Sequence, residues 1–257
     1  MTAYEKVKAA RANDRASAVD FIHSIFTDFI EMHGDRRFAD DKAVVAGIAL
    51  LYDMPVTVIG IEKGKTTKDR IDRNFGSAHP EGYRKALLQM KKAEKFGRPV
   101  ICFIDTAGAY CGIGAEERGQ GEAIAECLYE MSTLKTPIIS ILIGEGGSGG
   151  ALALAVADEV WMLENAVYSV ISPEGCASIL WKDPTRVEQA AECLKLTVTD
   201  LYKFKVIEKA LSEAKGKEAL YRGIKEKLFH SLKEKKNADI TELLEKRYAK
   251  FRKIGSN

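Results

Sequence analysis

The chain has 257 residues, of which 46% are hydrophobic and 30% are charged, and its formal net charge is +2. These values are those of a globular protein that can bury a sizeable core. No apolar run is long enough to span a membrane, and the N-terminus lacks the apolar core of a signal peptide, so we expect a cytoplasmic protein. Five scattered cysteines without a C-x-x-C motif agree with a reducing compartment and argue against a metal site.

The positive charge is concentrated at the C-terminal end. Between Lys203 and Lys253 there are sixteen Lys or Arg residues and eight Asp or Glu residues. A basic segment of this kind can bind nucleic acid, and salt-dependent binding by residues 203–257 alone would reveal such a function. Because aromatic residues do not alternate with the charges, we interpret the segment as the solvated faces of terminal helices and predict no nucleic-acid partner.

Hydrophobic periodicity predicts one helix and one hairpin in the first part of the chain. Apolar residues at helical spacing predict a helix over 18–32, with Gly34 as its C-cap. Two β-rich runs, 43–51 and 55–61, are joined by three residues and predict an antiparallel hairpin.

Helices and buried strands alternate in the middle of the chain. The predicted elements are a helix over 80–96, a strand over 100–104, a helix over about 118–131, a strand over 138–143, a buried helix over 151–157, short strands over 159–163 and 167–171, and a helix that begins at Ser172. Charged helices follow to the end. This alternation predicts an α/β fold.

The most informative stretch is 138–157, where a strand, a glycine-rich turn and a helix follow one another. Five glycines lie between Gly144 and Gly150. Such a turn brings bare main-chain N–H groups to the start of a helix, where they favour a phosphate or an oxyanion. A second glycine turn, 106–108, follows the preceding strand. We expect the two turns to lie at one edge of the sheet and to form a single site.

Three known motifs match parts of the chain imperfectly, and two of them lie within these glycines. Gly144, Gly146 and Gly149 match a dinucleotide-binding fingerprint, with Glu164 at the position of the ribose-binding acid, but the helix of about nine residues is short for the required crossover. A P-loop beginning at Gly60 has three residues between its glycines where four are required.

The third motif is the nucleophile elbow G-x-S-x-G, with Ser148 at its centre. A catalytic triad would draw its other members from Asp183, Asp200 and His230. We favour a small helix-capping serine, because His230 lies in a charged terminal helix whereas a triad needs a buried, oriented imidazole.

Several long runs, taken together, resemble one known family. They are A-V-D-F-I-H-S-I-F-T-D-F-I-E-M-H-G-D-R (18–36), R-N-F-G-S-A-H-P-E-G-Y-R-K-A (73–86), G-A-E-E-R-G-Q-G-E-A-I-A (114–125), I-G-E-G-G-S-G-G-A-L-A (143–153) and Y-S-V-I-S-P-E-G-C-A-S-I-L-W-K (168–182). They resemble the carboxyltransferase alpha subunit of bacterial acetyl-CoA carboxylase, in order along nearly the whole chain.

The resemblance implies a crotonase-like fold, a spiral of ββα units with added N- and C-terminal helices. It implies one carboxyltransferase domain over 1–257, with an N-terminal helix in 1–35, a core over about 40–210 and charged C-terminal helices over about 211–257. The family moves CO2 from carboxybiotin on a biotin carrier protein to acetyl-CoA, which gives malonyl-CoA in the first committed step of fatty-acid synthesis. We therefore expect no cofactor bound to this chain itself.

The resemblance also implies partners. The family works as an α2β2 assembly with a beta subunit that carries a zinc ribbon, together with biotin carboxylase in the larger complex. We expect zinc on the beta subunit only.

By analogy with crotonase-like sites, the main-chain N–H groups that stabilise the reacting oxyanions are predicted at Gly146 and Gly147, with Gly108 and Ala109 as the second pair. Candidate substrate-binding residues complete the prediction: Gly144, Ser148, Tyr110, Lys63 and Lys65. For the two lysines we favour the alternative interpretation, a solvated loop.

One alternative enzyme stays open in the sequence. A stand-alone crotonase-like acyl-CoA hydratase or isomerase would need an acid or base aimed at its substrate, and Glu145 is the carboxylate within the glycine turn. The chain also has Ala107 and Cys111 where the family commonly has proline, and we expect this to affect the geometry of the second turn more than the chemistry.

Overall fold

The computed structural model describes residues 1–255 and contains one mixed β-sheet covered by helices. The strands are β1 Thr27–Glu31, β2 Val44–Leu51, β3 Met54–Ile61, β4 Val100–Thr106, β5 Ile138–Gly147, β6 Glu159–Leu163, β7 Val167–Ser169 and β8 Lys209–Leu211. The helices are α1 Ala3–Ala10, α2 Ala18–Ile25, α3 Thr67–Asp72, α4 Pro80–Lys95, α5 Ile113–Glu117, α6 Gln120–Thr133, α7 Ser148–Leu152, α8 Pro173–Trp181, α9 Val187–Leu194, α10 Val198–Lys203, α11 Lys217–Lys236 and α12 Ile240–Lys253.

The sheet has the strand order β1-β2-β3-β4-β5-β6-β8, and β7 pairs with the C-terminal end of β5. β1, β2 and β3 are antiparallel, which confirms the predicted hairpin, whereas the pairs from β3 to β8 are parallel. All seven residues of β4 are buried, as expected for a strand with both faces covered. The carboxyl ends of β4 and β5 therefore lie side by side.

The prediction of an N-terminal helix over 18–32 is wrong for the second half of that range. Helix α2 ends at Ile25, the backbone of Phe26 is extended, and the chain continues as β1, which pairs with β2. The apolar residues have helical spacing, but pairing with the sheet is favoured over a longer helix. An edge strand satisfies main-chain groups that a helix end leaves without partners. Gly34 has φ +77°, but it follows a strand instead of capping a helix.

The central strand is longer and the following helix shorter than the sequence predicts. β5 continues from Ile143 to Gly147, and α7 ends at Leu152 instead of extending over 151–157. The N–H groups of Leu154 and Ala155 donate to carbonyls three residues back, so the chain turns tightly towards β6. In contrast, α4, α6 and α8 lie where they were predicted, and the side chain of Ser172 caps α8.

The basic C-terminal helices are docked on the body of the protein. Arg247 of α12 is 1% exposed. Its guanidinium group donates to both oxygens of Asp158 and to the carbonyls of Met131, Leu134 and Thr136. At least one cation of the basic segment is therefore part of the interior. In residues 1–255 no helix is both long and apolar enough to cross a membrane.

The carboxylate of Glu159, at the start of β6, determines how the stability of this region responds to acid. Burial opposes its ionisation, but hydrogen bonds from Lys209, Lys235, Ser231 and Trp161 outweigh burial and hold the pKa of Glu159 at about 2. Because this pKa is lowered by folding, ionised Glu159 stabilises the protein at neutral pH, by roughly 3 kcal/mol for a shift of this size. The contribution is lost as the pH falls from about 5 towards 2.

We therefore expect Glu159→Gln to lower the free energy of unfolding at pH 7 and to converge with the unsubstituted protein near pH 2. Urea unfolding across this pH range measures the difference. Glu242→Gln is the control, since Glu242 pairs with Lys246 on an exposed helix face and such pairs contribute little. An unchanged difference from pH 7 to pH 3 would contradict this assignment.

Candidate functional site

The two glycine turns meet, main chain against main chain, at the carboxyl ends of β4 and β5. A Cβ atom added to Gly147 would lie 2.0 Å from the carbonyl oxygen of Ala107, and one added to Gly150 would lie 2.5 Å from the nitrogen of Ala109. Contacts this close require glycine. The predicted meeting of the two turns at one edge of the sheet is thus present in the structure.

The main-chain N–H groups at this junction differ in their surroundings. Gly146 lies between Thr106 of β4 and Tyr168 of β7, and Gly147 is aligned with Ser169 of β7, so both glycines belong to the strand and the predicted open turn at Gly146 is wrong. Helix α7 begins at the next residue, Ser148. The first N–H groups of a helix have no acceptor inside it, so the candidate donors are those at the start of α7, after Gly147.

In the second turn the N–H groups of Gly108 and Tyr110 already have acceptors, so Ala109 is the candidate donor that remains of the predicted pair Gly108 and Ala109. Gly108 donates to the side-chain oxygen of Thr106 over 3.0 Å, which fixes the turn. The nitrogen of Ala109 lies against Gly150, as described above. Tyr110 donates its N–H to the carbonyl of Ala78 and stacks its ring on His79 with 4.1 Å between ring centroids. Tyr110 therefore forms a wall beside the turn.

Ser148, at the junction itself, has an uncommon backbone conformation. Its φ is +50°, in the left-handed region that a non-glycine residue rarely adopts. Strain of this kind is concentrated at functional sites. Ser148 and Gly149 open onto an apolar groove of about 340 Å³ whose walls include Leu152, Tyr168 and Val170. An anion bound at the junction would thus have low-dielectric surroundings, which strengthen its hydrogen bonds.

The candidate acids of the dinucleotide and nucleophile-elbow motifs have other contacts. Asp183 caps the 3-10 turn Pro184–Arg186, and Asp200 accepts from Thr197 at the start of α10. Glu164 accepts from Ser212 and from the N–H of Glu213. These roles in caps and turns support the structural interpretation of these residues.

Both candidate lysines are engaged in ion pairs. The Lys63 ammonium lies 2.6 Å from an oxygen of Asp105 and 3.1 Å from one of Glu145, and Lys65 pairs with Asp20. Burial lowers the pKa of Lys63, but the two carboxylates outweigh burial and raise it. Lys63 is therefore a charged member of a buried network rather than a free ammonium facing an anion.

Glu145 is the other centre of that network. Burial raises its pKa, yet Lys63 and Arg11 outweigh burial and hold the pKa of Glu145 below its usual value. The Arg11 nitrogen lies 2.6 Å from the Glu145 carboxylate. A general acid needs a raised pKa. Glu145 is thus an ionised structural carboxylate, which disfavours the hydratase or isomerase alternative.

Sequence reasoning did not identify Arg11 and Arg15, which contact this region from the N-terminal segment. Arg15 donates to the carbonyl of Ile143 over 2.6 Å. The signal in the sequence was Glu145. A carboxylate buried inside an apolar strand requires a cation beside it, so Glu145 indicates that a cationic residue from elsewhere in the chain contacts this strand.

Among residues 1–255, no group of three or more His, Cys, Asp or Glu side chains could hold a metal ion. Cys111, which follows the second turn, is exposed.

The mixed sheet covered by helices has the crotonase-like fold that the sequence resemblance implies, and solved carboxyltransferase structures share it. One solved structure with this fold is transcarboxylase 12S, with methylmalonyl-coenzyme A and methylmalonic acid bound. It superposes with a TM-score of 0.73 at 17% sequence identity, over 91% of this chain and 45% of that one. This chain thus spans less than half of that protein.

The family model for acetyl co-enzyme A carboxylase carboxyltransferase-like proteins matches residues 1–255, and the chain belongs to this family. It is 64% identical over 256 residues to the acetyl-coenzyme A carboxylase carboxyl transferase subunit alpha of Ruminiclostridium cellulolyticum, covering 99% of this chain and 98% of that protein. It is 56% identical to the fused subunits beta/alpha of Natranaerobius thermophilus, covering 99% of this chain and 43% of the fusion. The resemblance noted from the sequence motifs is confirmed.

Proposed function

We propose that the chain is the alpha half of the carboxyltransferase of acetyl-CoA carboxylase. It takes part in the transfer of CO2 from carboxybiotin, presented by the biotin carrier protein, to acetyl-CoA, which yields malonyl-CoA for fatty-acid synthesis in the cytoplasm. Family membership over nearly the whole chain supports the reaction. The observation that carries the mechanism is the junction of two glycine turns without a side chain between them.

The chemistry needs hydrogen-bond donors more than acids or bases. Loss of a proton from acetyl-CoA places negative charge on the thioester oxygen, and release of CO2 from carboxybiotin places it on the ureido oxygen. Donors held where this charge develops contribute about 3–4 kcal/mol each in a comparable oxyanion site. A junction made of main chain supplies such donors without a titrating group.

We place these donors in the two turns, at Ala109 and at the segment from Gly147 to Gly149. The predicted pair Gly146 and Gly147 is thereby shifted towards α7, because Gly146 lies between two strands. In this proposal Gly147 lets the two turns approach each other, and Gly108 shapes the second turn through its bond to Thr106. Gly144 and Lys63 support the strand beneath the site.

The partner in this proposal is a beta subunit with its own crotonase-like domain and a zinc ribbon, in an α2β2 assembly. Biotin carboxylase and the biotin carrier protein complete the enzyme. The name of the Natranaerobius thermophilus relative, which joins beta and alpha subunits in one chain, supports a beta partner. The groove beside Ser148 is open on one side, as a site shared between two chains would be.

The deciding experiment is malonyl-CoA formation from carboxybiotin and acetyl-CoA. We expect no turnover from this chain alone and sustained turnover when a zinc-ribbon beta subunit is added, because each chain supplies part of the oxyanion stabilisation. The beta subunit alone is the matched control. Turnover by this chain without a partner would contradict the proposal and favour a self-sufficient acyl-CoA enzyme.

A further inference from the structure

The pairing between β4 and β5 is interrupted immediately before the glycine junction. Ile104 is aligned with Leu142, and the register resumes with Thr106 aligned with Gly146. One residue of β4, Asp105, therefore faces three residues of β5, 143–145. A bulge of this kind redirects the strand and leaves main-chain groups without their ladder partners.

Side chains take over the hydrogen bonds that the ladder loses at this bulge. The carbonyl of Ile143 accepts from Arg15 over 2.6 Å, and the N–H of Glu145 donates to a carboxylate oxygen of Asp105 over 2.8 Å. Gly144, between them, leaves room for that carboxylate, since an added Cβ would lie 2.3 Å from its oxygen. The shape of the bulge is thus set by two charged side chains.

Ion pairs then hold these side chains in place. Asp105 pairs with Lys63 over 2.6 Å, and Lys63 bridges to Glu145 over 3.1 Å. Arg15 pairs with Glu213 over 3.0 Å. Asp105 and Glu145 are less than 10% exposed. Buried networks with satisfied members rigidify the structure around them, whereas removal of one member leaves an uncompensated charge.

We propose that Arg15, Lys63 and Asp105 are positioning residues of the carboxyltransferase, which fix the bulge at 143–145 and thereby aim the main-chain N–H groups after Gly147 at the reacting oxygen. The role in catalysis rests on the proposed function. The anchoring of the bulge does not, because it follows from the contacts alone. Glu145 precedes Gly147 by two residues, so a shift of the bulge passes directly to the donors.

The test compares Asp105→Ala with Asp105→Asn in the enzyme assembled with its beta subunit. Alanine removes the acceptor of the Glu145 N–H, and we expect kcat to fall about 100-fold with KM for acetyl-CoA within about threefold, as for a misplacement of about 1 Å. Asparagine keeps an acceptor oxygen, and we expect its kcat within about tenfold of the unsubstituted enzyme.

A second readout uses the isolated chain and needs no activity. In hydrogen exchange followed by mass spectrometry, Asp105→Ala should accelerate exchange in peptides spanning 143–149 and leave α11 unchanged, because the loss is local. Lys235→Met is the matched control, since it breaks a comparable ion pair with Glu159 at 2.7 Å on another part of the sheet. It should leave kcat unchanged.

Two outcomes overturn the inference: a kcat for Asp105→Ala within twofold of the unsubstituted enzyme, or Asp105→Asn as impaired as Asp105→Ala. If Asp105→Ala does not fold, Arg15→Met decides the question, since it removes the donor to Ile143 from a surface segment and should give the same loss of kcat. A failure of the proposed function would show as absent turnover in the unsubstituted pair, while the exchange result would still support or refute the anchoring.

Discussion

Replacement of Gly147 by alanine is expected to abolish carboxyl transfer, with a loss of at least about 100-fold in kcat in the assembled enzyme. The new methyl group would lie 2.0 Å from the carbonyl oxygen of Ala107 and 2.3 Å from its carbon, and neither main-chain atom can move without separating the two turns. Overpacking of this kind also costs about 1–3 kcal/mol of stability. Malonyl-CoA formation measures the first effect and urea unfolding the second.

The matched control for this substitution is Gly121→Ala in α6. A Cβ atom there meets no atom within 4 Å, and the position is inside a helix. We expect unchanged turnover and a gain of about 0.5–1 kcal/mol in stability, because alanine is the better helix former. Near-normal turnover of Gly147→Ala would show that the junction between the turns does not carry the reaction.

Substitution of Arg247 by methionine is expected to lower the free energy of unfolding by about 3–5 kcal/mol, the typical cost of removing one partner from a buried ion pair. Asp158 would remain buried with only the N–H of Ile138 as its donor, and the carbonyls of Met131, Leu134 and Thr136 would lose theirs. Helix α12 would then detach first. Urea unfolding measures the loss, and limited proteolysis locates it.

Lys246→Met is the control, and it tests whether the loss of stability depends on the buried position of the cation within α12. Lys246 precedes Arg247 and pairs with Glu242 on an exposed face over 2.6 Å. Pairs of this kind contribute about 0.3–0.5 kcal/mol, so we expect a change close to that value. Equal losses for the two substitutions would mean that charge, not the buried contacts of Arg247, holds the helix.

The parts of the fold that the sequence predicts correctly are those specified by local patterns. The hairpin of β2 and β3 needs two β-rich runs and a short connection, and α4 begins at a proline and ends before a glycine. The second half of the helix predicted over 18–32 failed because its stripe of apolar residues also suits an edge strand. Which structure forms depends on β2, a partner that is distant in sequence.

The candidate site also has parts that local sequence patterns predict and parts that they do not. The glycines between Gly144 and Gly150 and the turn at Gly108 are visible as sequence motifs, so their meeting was predictable from a parallel sheet. The bulge at 143–145 was not predictable, since it depends on the alignment of Asp105 with three residues of β5. Nor were the contacts of Arg11 and Arg15, because nothing in their local sequence points to a strand more than a hundred residues away.

The contacts of Arg11 and Arg15 with the region of the bulge at 143–145 affect the order in which the protein folds. Arg15 and Arg11 bond to groups 128 and 134 residues further along the chain, and the N–H of Ala3 bonds to Glu192, 189 residues away. Contacts of such long range form late, because the closure of a large loop must precede them. During synthesis on the ribosome, these arginines leave the exit tunnel long before their acceptors do. The proposed catalytic surface is therefore among the last parts of the molecule to reach its final structure.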